Sequence, residues 1–247
     1  MSSIPSPSVH VHAARLAFAG VPLFDDLDFQ LPGGSWTCLL GPSGVGKSTL
    51  LRILAGLESA GDQGQVVCGD GIPLSGRAAY MAQKDLLLPW LSVIENAVVG
   101  FRLRGQRAPK HQARELLAAV GLADRCYARP DDLSGGMRQR VALVRTLVED
   151  RPVILMDEPF SALDAITRYR LQSLASRLLA GRTVLLVTHD PLEALRLGHR
   201  IHVLAGRPAR LGACIEPPGK PPRDPSDPAV LAAQADLLRR LAAAAEA

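Results

Sequence analysis

Residues 41–49 read Gly-Pro-Ser-Gly-Val-Gly-Lys-Ser-Thr, and no other stretch restricts the fold of this chain so strongly. The pattern Gly-x-x-x-x-Gly-Lys-Ser/Thr makes a loop whose backbone N–H groups converge on an anion, and it works between a strand and a helix. Both flanks fit. Trp36–Leu40 is a short apolar run that reads as a buried strand, and Thr49–Ala55 reads as a helix. Gly41, Gly44 and Gly46 let the backbone turn tightly, with Pro42, Ser43 and Val45 completing the loop. The helix that opens at Lys47 adds the positive end of its dipole. Lys47 is expected to reach the β- and γ-phosphates of a nucleotide, Ser48 to ligate Mg2+, and Thr49 to donate to the α-phosphate.

Two further apolar runs end in polar residues. Val153–Met156 ends in Asp157-Glu158-Pro159, and Thr183–Thr188 ends in His189-Asp190. Runs without alternation suggest strands buried on both faces, as in a parallel α/β sheet. Such sheets bind ligands at the carboxyl ends of their strands. Adjacent carboxylates at a strand end point different ways, which permits two roles: Asp157 to hold Mg2+ through water, and Glu158 to polarise an attacking water. His189 would contact the γ-phosphate and hold that water in line. Gln83, after Ala78–Ala82, carries an amide that can bind both metal and water.

Downstream, Leu133–Arg140 reads Leu-Ser-Gly-Gly-Met-Arg-Gln-Arg. Ser134 is a good N-cap for a helix whose apolar positions Met137, Val141, Val144 and Val148 follow helical spacing. Gly135 and Gly136 leave the first N–H groups bare, and a bare helix start attracts phosphate. One phosphate site is already formed at 41–49, so this second one is expected to complete the site of another copy of the chain.

In this order the motifs resemble those of the ATPase subunit of an ABC transporter: the Walker A loop Gly41–Thr49, the Q-loop Gln83, the signature Leu133–Met137, the Walker B strand Val153–Glu158, the D-loop Ser161–Asp164 and the switch His189. The resemblance covers roughly residues 9–215. It implies an α/β fold, a P-loop NTPase (RecA-like) core with an antiparallel β edge subdomain and an inserted helical subdomain at about 84–140. Residues 1–8 would be a tail, and 216–247 a Pro-rich linker with a C-terminal helix. It also implies ATP and Mg2+ as cofactors. The catalytic set would be Glu158, His189, Gln83 and Lys47, and the metal set Ser48, Gln83 and Asp157. Ser134, Gly135, Gly136 and Gln139 would contact nucleotide beside the loop 41–49. Phe18 would stack on adenine, although that ring could equally be core, and Phe24 is near. Ser35 stands where family members commonly carry Glu, at a surface turn; no catalytic position is substituted.

The implied assembly is a head-to-tail homodimer on the cytoplasmic face of the inner membrane, with two membrane permease subunits and an extracytoplasmic substrate-binding protein. Leu87-Leu88-Pro89-Trp90 followed by Val93 and Asn96 resembles the importer group for nitrate, sulfonate, taurine and pyrimidine thiamine precursors. The apolar stretch Leu86–Leu91 either packs into the helical insert or forms an exposed patch beside Gln83 where a permease helix docks. An exporter ATPase and a non-transport ABC ATPase acting on nucleic acid are the alternatives.

Composition narrows these. Aromatic residues are 4% of the 247 and the net charge is +4, without a dense basic stripe, so nucleic-acid binding gains no support. Cys38, Cys68, Cys126 and Cys214 are scattered, form no metal or redox spacing, and are expected to be reduced. Met1–Val11 lacks the pattern of a signal peptide, and the apolar runs are far short of a membrane span. Pro228–Ala247 is Ala/Leu-rich and reads as a helix that packs on the core, pairs with a partner, or frays.

Overall fold

The computed structural model describes residues 6–246; the first five residues of the expected N-terminal tail, and Ala247, lie outside the described residues. A long hairpin comes first. Its strands β1 (Val9–Phe18) and β2 (Val21–Leu31) pair antiparallel from Val9 opposite Leu31 to Phe18 opposite Val21. The buried strand β3 (Trp36–Leu40) leads through the 41–46 loop into α1 (Lys47–Leu54). Next, β4 (Gln65–Cys68) joins β1, giving a three-stranded antiparallel sheet in the order β2-β1-β4.

The second sheet begins at β5 (Ala78–Met81). Four helices follow: α2 (Val93–Ala97), α3 (Val99–Leu103), α4 (Lys110–Ala119) and α5 (Gly135–Val148). The chain then alternates through β6 (Val153–Asp157), α6 (Ala165–Leu178), β7 (Thr183–Val187), α7 (Pro191–Leu197) and β8 (Arg200–Ala205). The short β9 (Arg210–Leu211) and the terminal α8 (Pro228–Glu246) complete it. The sheet order is β5-β6-β7-β3-β8-β9, parallel throughout except for the antiparallel edge strand β9. This is the P-loop NTPase α/β arrangement expected from the sequence.

Strands β3, β6 and β7 are buried at all five of their positions, because their side chains alternate between two apolar layers. Leu39, Leu155, Leu185 and Val187 face the layer built by α1 and the antiparallel sheet, with Phe24 and Leu50. Cys38, Leu40, Ile154, Met156, Val184 and Leu186 face the layer that holds Leu117 of α4, Val141 and Val144 of α5, and Leu195 of α7. Each fully buried side chain of this kind contributes roughly 1.5–3 kcal/mol. Helix α5 runs unbroken to Val148, so the boundary expected near residue 140 falls inside a helix whose later turns lie in the core layer.

The segment after β9 is irregular yet anchored. The buried guanidinium of Arg223 donates to the carbonyls of Leu195, Gly198, Pro217, Pro218 and Gly219. Beyond it α8 packs on α7 and β8, burying Val230 and Leu237. Of the three fates open to this helix in the sequence, the structure shows the first.

Candidate nucleotide site

Three parallel strands deliver the site to one edge. The ends of β3, β6 and β7 carry, respectively, the 41–46 loop, Asp157-Glu158 and Thr188-His189. Gly46 is held at φ 108°, and a Cβ there would stand 2.9 Å from the ring of Phe24, so the loop rests on that ring. Phe24 is thereby core. Phe18, the ring expected to stack on adenine, is 50% exposed at the end of β1. Val45 is buried, and Ser43 and Gly44 are exposed at the loop's crest.

Lys47 is buried, and its Nζ donates to the carbonyls of Gly41 at 2.7 Å and Pro42 at 2.8 Å. Burial lowers its pKa, while the nearby carboxylates of Glu158 and Asp157 favour its charged form. The Ser48 hydroxyl lies beside the Asp157 carboxylate and favours its charged form. The Thr49 hydroxyl accepts from Arg52 at 3.2 Å. Burial raises the Asp157 carboxyl above the usual range. Ser48 opposes that shift, Glu158 reinforces it, and Lys47 and Arg52 oppose it again.

Glu158 differs from its neighbour. It adopts φ 48°, a left-handed conformation that costs on the order of 1–3 kcal/mol for a non-glycine residue. Its N–H donates to the Val187 carbonyl at 2.8 Å. Its Oε2 accepts from Gln83 Nε2 at 3.2 Å and faces His189 Nδ1 at 3.3 Å. Three residues singled out independently in the sequence, from three separate loops, thus meet at one carboxylate oxygen. Behind His189, Asp190 caps α7 and pairs with Arg168, and the buried Glu193 accepts from Gln172.

Helix α5 begins as its sequence requires. The Ser134 Oγ accepts from the Met137 N–H at 3.3 Å, and Ser134 and Gly135 are exposed. Gln139 is placed differently from the expectation that it touches nucleotide. It is 5% exposed, and its amide is taken up inside the chain by the Glu158 carbonyl, Ser161 Oγ and the Ala162 N–H. The sequence offered no sign of this beyond the family pattern, because the partners lie some twenty positions away.

The stretch beside Gln83 is exposed at Leu86 (59%) and Trp90 (65%), while Leu87 packs against the core. Buried Asn96 sets this shape: its Oδ1 accepts from the Leu88 N–H at 2.8 Å, and its Nδ2 donates to the Leu88 and Leu91 carbonyls at 3.1 Å.

The family described as ABC transporter matches residues 24–161, from the ring beneath the loop to the serine beside Gln139. This chain belongs to the ABC transporter family. An ABC transporter ATP-binding protein of Haemophilus influenzae, itself uncharacterized, is 45% identical over 239 residues, covering 94% of this chain and 98% of that one. The aliphatic sulfonates import ATP-binding protein SsuB of Delftia acidovorans is 42% identical over 97% of this chain and 96% of its own. SsuB 1 of Rhodococcus jostii is 50% identical over 72% and 71%. Among solved structures, a dimeric ATP-binding cassette in a post-hydrolysis state bound to ADP and Pi superposes with a TM-score of 0.74 at 27% identity, covering 86% of this chain and all of that one. The protein is accordingly an ABC ATPase, an enzyme that binds and hydrolyses ATP. No helix among the described residues is long and apolar enough to cross a membrane.

Proposed function

We propose that this chain is the ATP-hydrolysing subunit of an importer for aliphatic sulfonates. It works as a head-to-tail homodimer at the cytoplasmic face of the membrane. The convergence of Gln83 and His189 on Glu158 Oε2 carries the catalytic half of this reading. The names and identities of the Delftia and Rhodococcus relatives support the cargo class.

The chemistry follows from the side chains. The 41–46 loop and the start of α1 bind the phosphates, with Lys47 on the β- and γ-phosphates and Thr49 on the α-phosphate. Phe18, exposed on β1, stacks on the adenine. The Ser48 hydroxyl, the Asp157 carboxylate and the Gln83 amide oxygen form an all-oxygen donor set that suits a hard divalent cation such as Mg2+. When bound, that ion neutralises charge on the β- and γ-phosphate oxygens. Glu158 takes a proton from the attacking water while His189 and Gln83 hold it in line. The water oxygen bonds to the γ-phosphorus, the bond to the β-phosphate oxygen breaks, and ADP and phosphate leave.

In this reading residues 9–215 form the ATPase unit, with a helical insert at about 84–140 and an added linker and helix at 216–247. The exposed Leu86 and Trp90 are where a permease subunit seats, next to Gln83. The bare start of α5, with Ser134, Gly135 and Gly136, closes over the partner's nucleotide. Ser134→Arg tests the shared site: the variant is expected to fold and bind ATP normally and to lose hydrolysis. Unchanged phosphate release by a folded Ser134→Arg protein would overturn the assignment.

A further inference from the structure

Gln139 sits one turn into α5, and every polar group of its amide is engaged. Nε2 donates to the Glu158 carbonyl at 2.8 Å and to Ser161 Oγ at 3.2 Å; Oε1 accepts from the Ala162 N–H at 2.7 Å. The Ser161 hydroxyl itself donates to the same Glu158 carbonyl at 3.0 Å. A second contact lies three residues earlier on the helix. A Cβ on Gly136 would stand 3.0 Å from the Ala162 carbonyl and 3.4 Å from Leu163, so the helix start rests directly on this loop. Helix α5 is therefore joined to the 158–162 segment by hydrogen bonds to Glu158, Ser161 and Ala162 and by an approach so close that a Cβ on Gly136 would push the loop back by a few tenths of an ångström.

The two ends of this junction face different nucleotides. Ser134 and Gly135 are exposed at the start of α5, while Glu158 belongs to its own subunit's phosphate site. The left-handed Glu158 needs an external hold on its peptide to keep its carboxylate toward Gln83 and His189. Gln139 supplies that hold from the helix that reaches across to the partner.

We propose that Gln139 is a positioning residue that fastens the start of α5 to the main chain of Glu158. That one junction thereby both sets the carboxylate in the subunit's own site and holds Ser134–Gly136 in place for the partner's ATP. The inference rests on the shared-site reading given above.

The test uses mixed dimers of the full-length chain, assembled with two different affinity tags. Glu158→Gln on one chain leaves a single working carboxylate per dimer, and this dimer is the reference. In the first test dimer, Gln139→Met is placed on the same chain as Glu158→Gln. In the second, it is placed on the other chain. Met matches the length of Gln and removes only the hydrogen bonds. Both test dimers are expected to show a kcat about tenfold below the reference, the loss of roughly one buried hydrogen bond's worth of positioning, with KM for ATP within about twofold.

Loss in the second dimer alone would mean that Gln139 serves only its own carboxylate; loss in the first alone, that it serves only the helix end. Either result overturns the coupling, as does loss in neither, or a rise in KM without a fall in kcat. If Gln139→Met fails to fold, Gln139→Glu replaces it in the same pair, since it retains an acceptor for the Ala162 N–H and lacks the donors. A reference dimer that hydrolyses no ATP, or a wild-type chain that turns over as a monomer, indicts the shared-site reading instead.

Discussion

Replacing Glu158 by Gln isolates the proton-accepting step proposed for it. The amide matches the carboxylate in size and keeps an oxygen that can accept from Gln83, whose Nε2 now lies 3.2 Å from Oε2. What disappears is basicity and one negative charge. A general base of this kind contributes about 10²–10⁴ in rate, roughly 3–5 kcal/mol of barrier. The charge loss acts on the neighbours in a definite direction. Glu158 is one of the groups that raise the Asp157 pKa, so its removal lets Asp157 ionise more readily and hold a cation better. It also removes one of two carboxylates that favour the charged form of Lys47. These effects oppose each other at the phosphates, so ATP affinity is expected to change by no more than a few-fold. Phosphate release at saturating ATP and Mg2+ should fall by at least about a hundredfold. Nucleotide titration should show binding intact, and gel filtration with ATP should show a trapped dimer. Turnover within about tenfold of wild type would refute the base assignment. Loss of binding in step with loss of turnover would show that Glu158 holds the nucleotide rather than the water.

Two predictions concern stability. Burial raises the Glu193 carboxyl above the usual range, against hydrogen bonds from Thr188 and Gln172 that pull it down. A raised acid holds a proton in the native chain that the unfolded chain releases, so its contribution falls as pH rises from the ordinary glutamate range through the folded value. Glu193→Gln keeps an acceptor for Gln172 and has nothing to ionise. Its melting temperature should therefore gain on wild type as pH rises above the ordinary glutamate range, and a gap that stays constant with pH would refute this. Arg223→Met retains the buried stem and deprives five carbonyls of their donor. With water reaching some of them, urea unfolding should show a loss of about 2–4 kcal/mol, and a loss under about 1 kcal/mol would mean the segment is held by something else.

The parallel strands and the phosphate loop were legible because each is a local pattern. An unbroken apolar run such as Val153–Met156 has no polar face to give to water, and the Gly-Lys-Ser turn between a strand and a helix has few other uses. Gln83 and His189 were legible only through their place just after such strands, since neither is unusual by itself. Composition left Leu86–Leu91 undecided between core and patch. The deciding residue is Asn96, which draws Leu88 inward by its main chain and leaves Leu86 and Trp90 outside. The intrachain partners of Gln139 were hidden for the same reason that Arg223 was missed. A polar side chain that satisfies distant main-chain groups carries no spacing signal, and its partners become neighbours only after the sheet and helices have assembled.

The separation of roles proposed for Asp157 and Glu158 also depends on a feature no pattern announces. Along β6 the side chains alternate strictly: Val153 and Leu155 face α1, Ile154 and Met156 face the opposite helical layer. Continued alternation puts Asp157 on the α1 side, where it meets Ser48. The next residue in an extended strand would then point into the layer of Val184 and Leu186, where a carboxylate could remain only by giving up its charge. The positive φ of Glu158 ends the alternation at that residue and brings the carboxylate to Gln83 and His189. A strained backbone persists only where its surroundings over-determine it. Here the Val187 carbonyl takes the Glu158 N–H, while Gln139 and Ser161 take its carbonyl, so both sides of the strained residue are tied to separate elements. The position of Glu158, the proposed proton acceptor, is thus fixed through its main chain, and its Oε2 is left to Gln83 and His189.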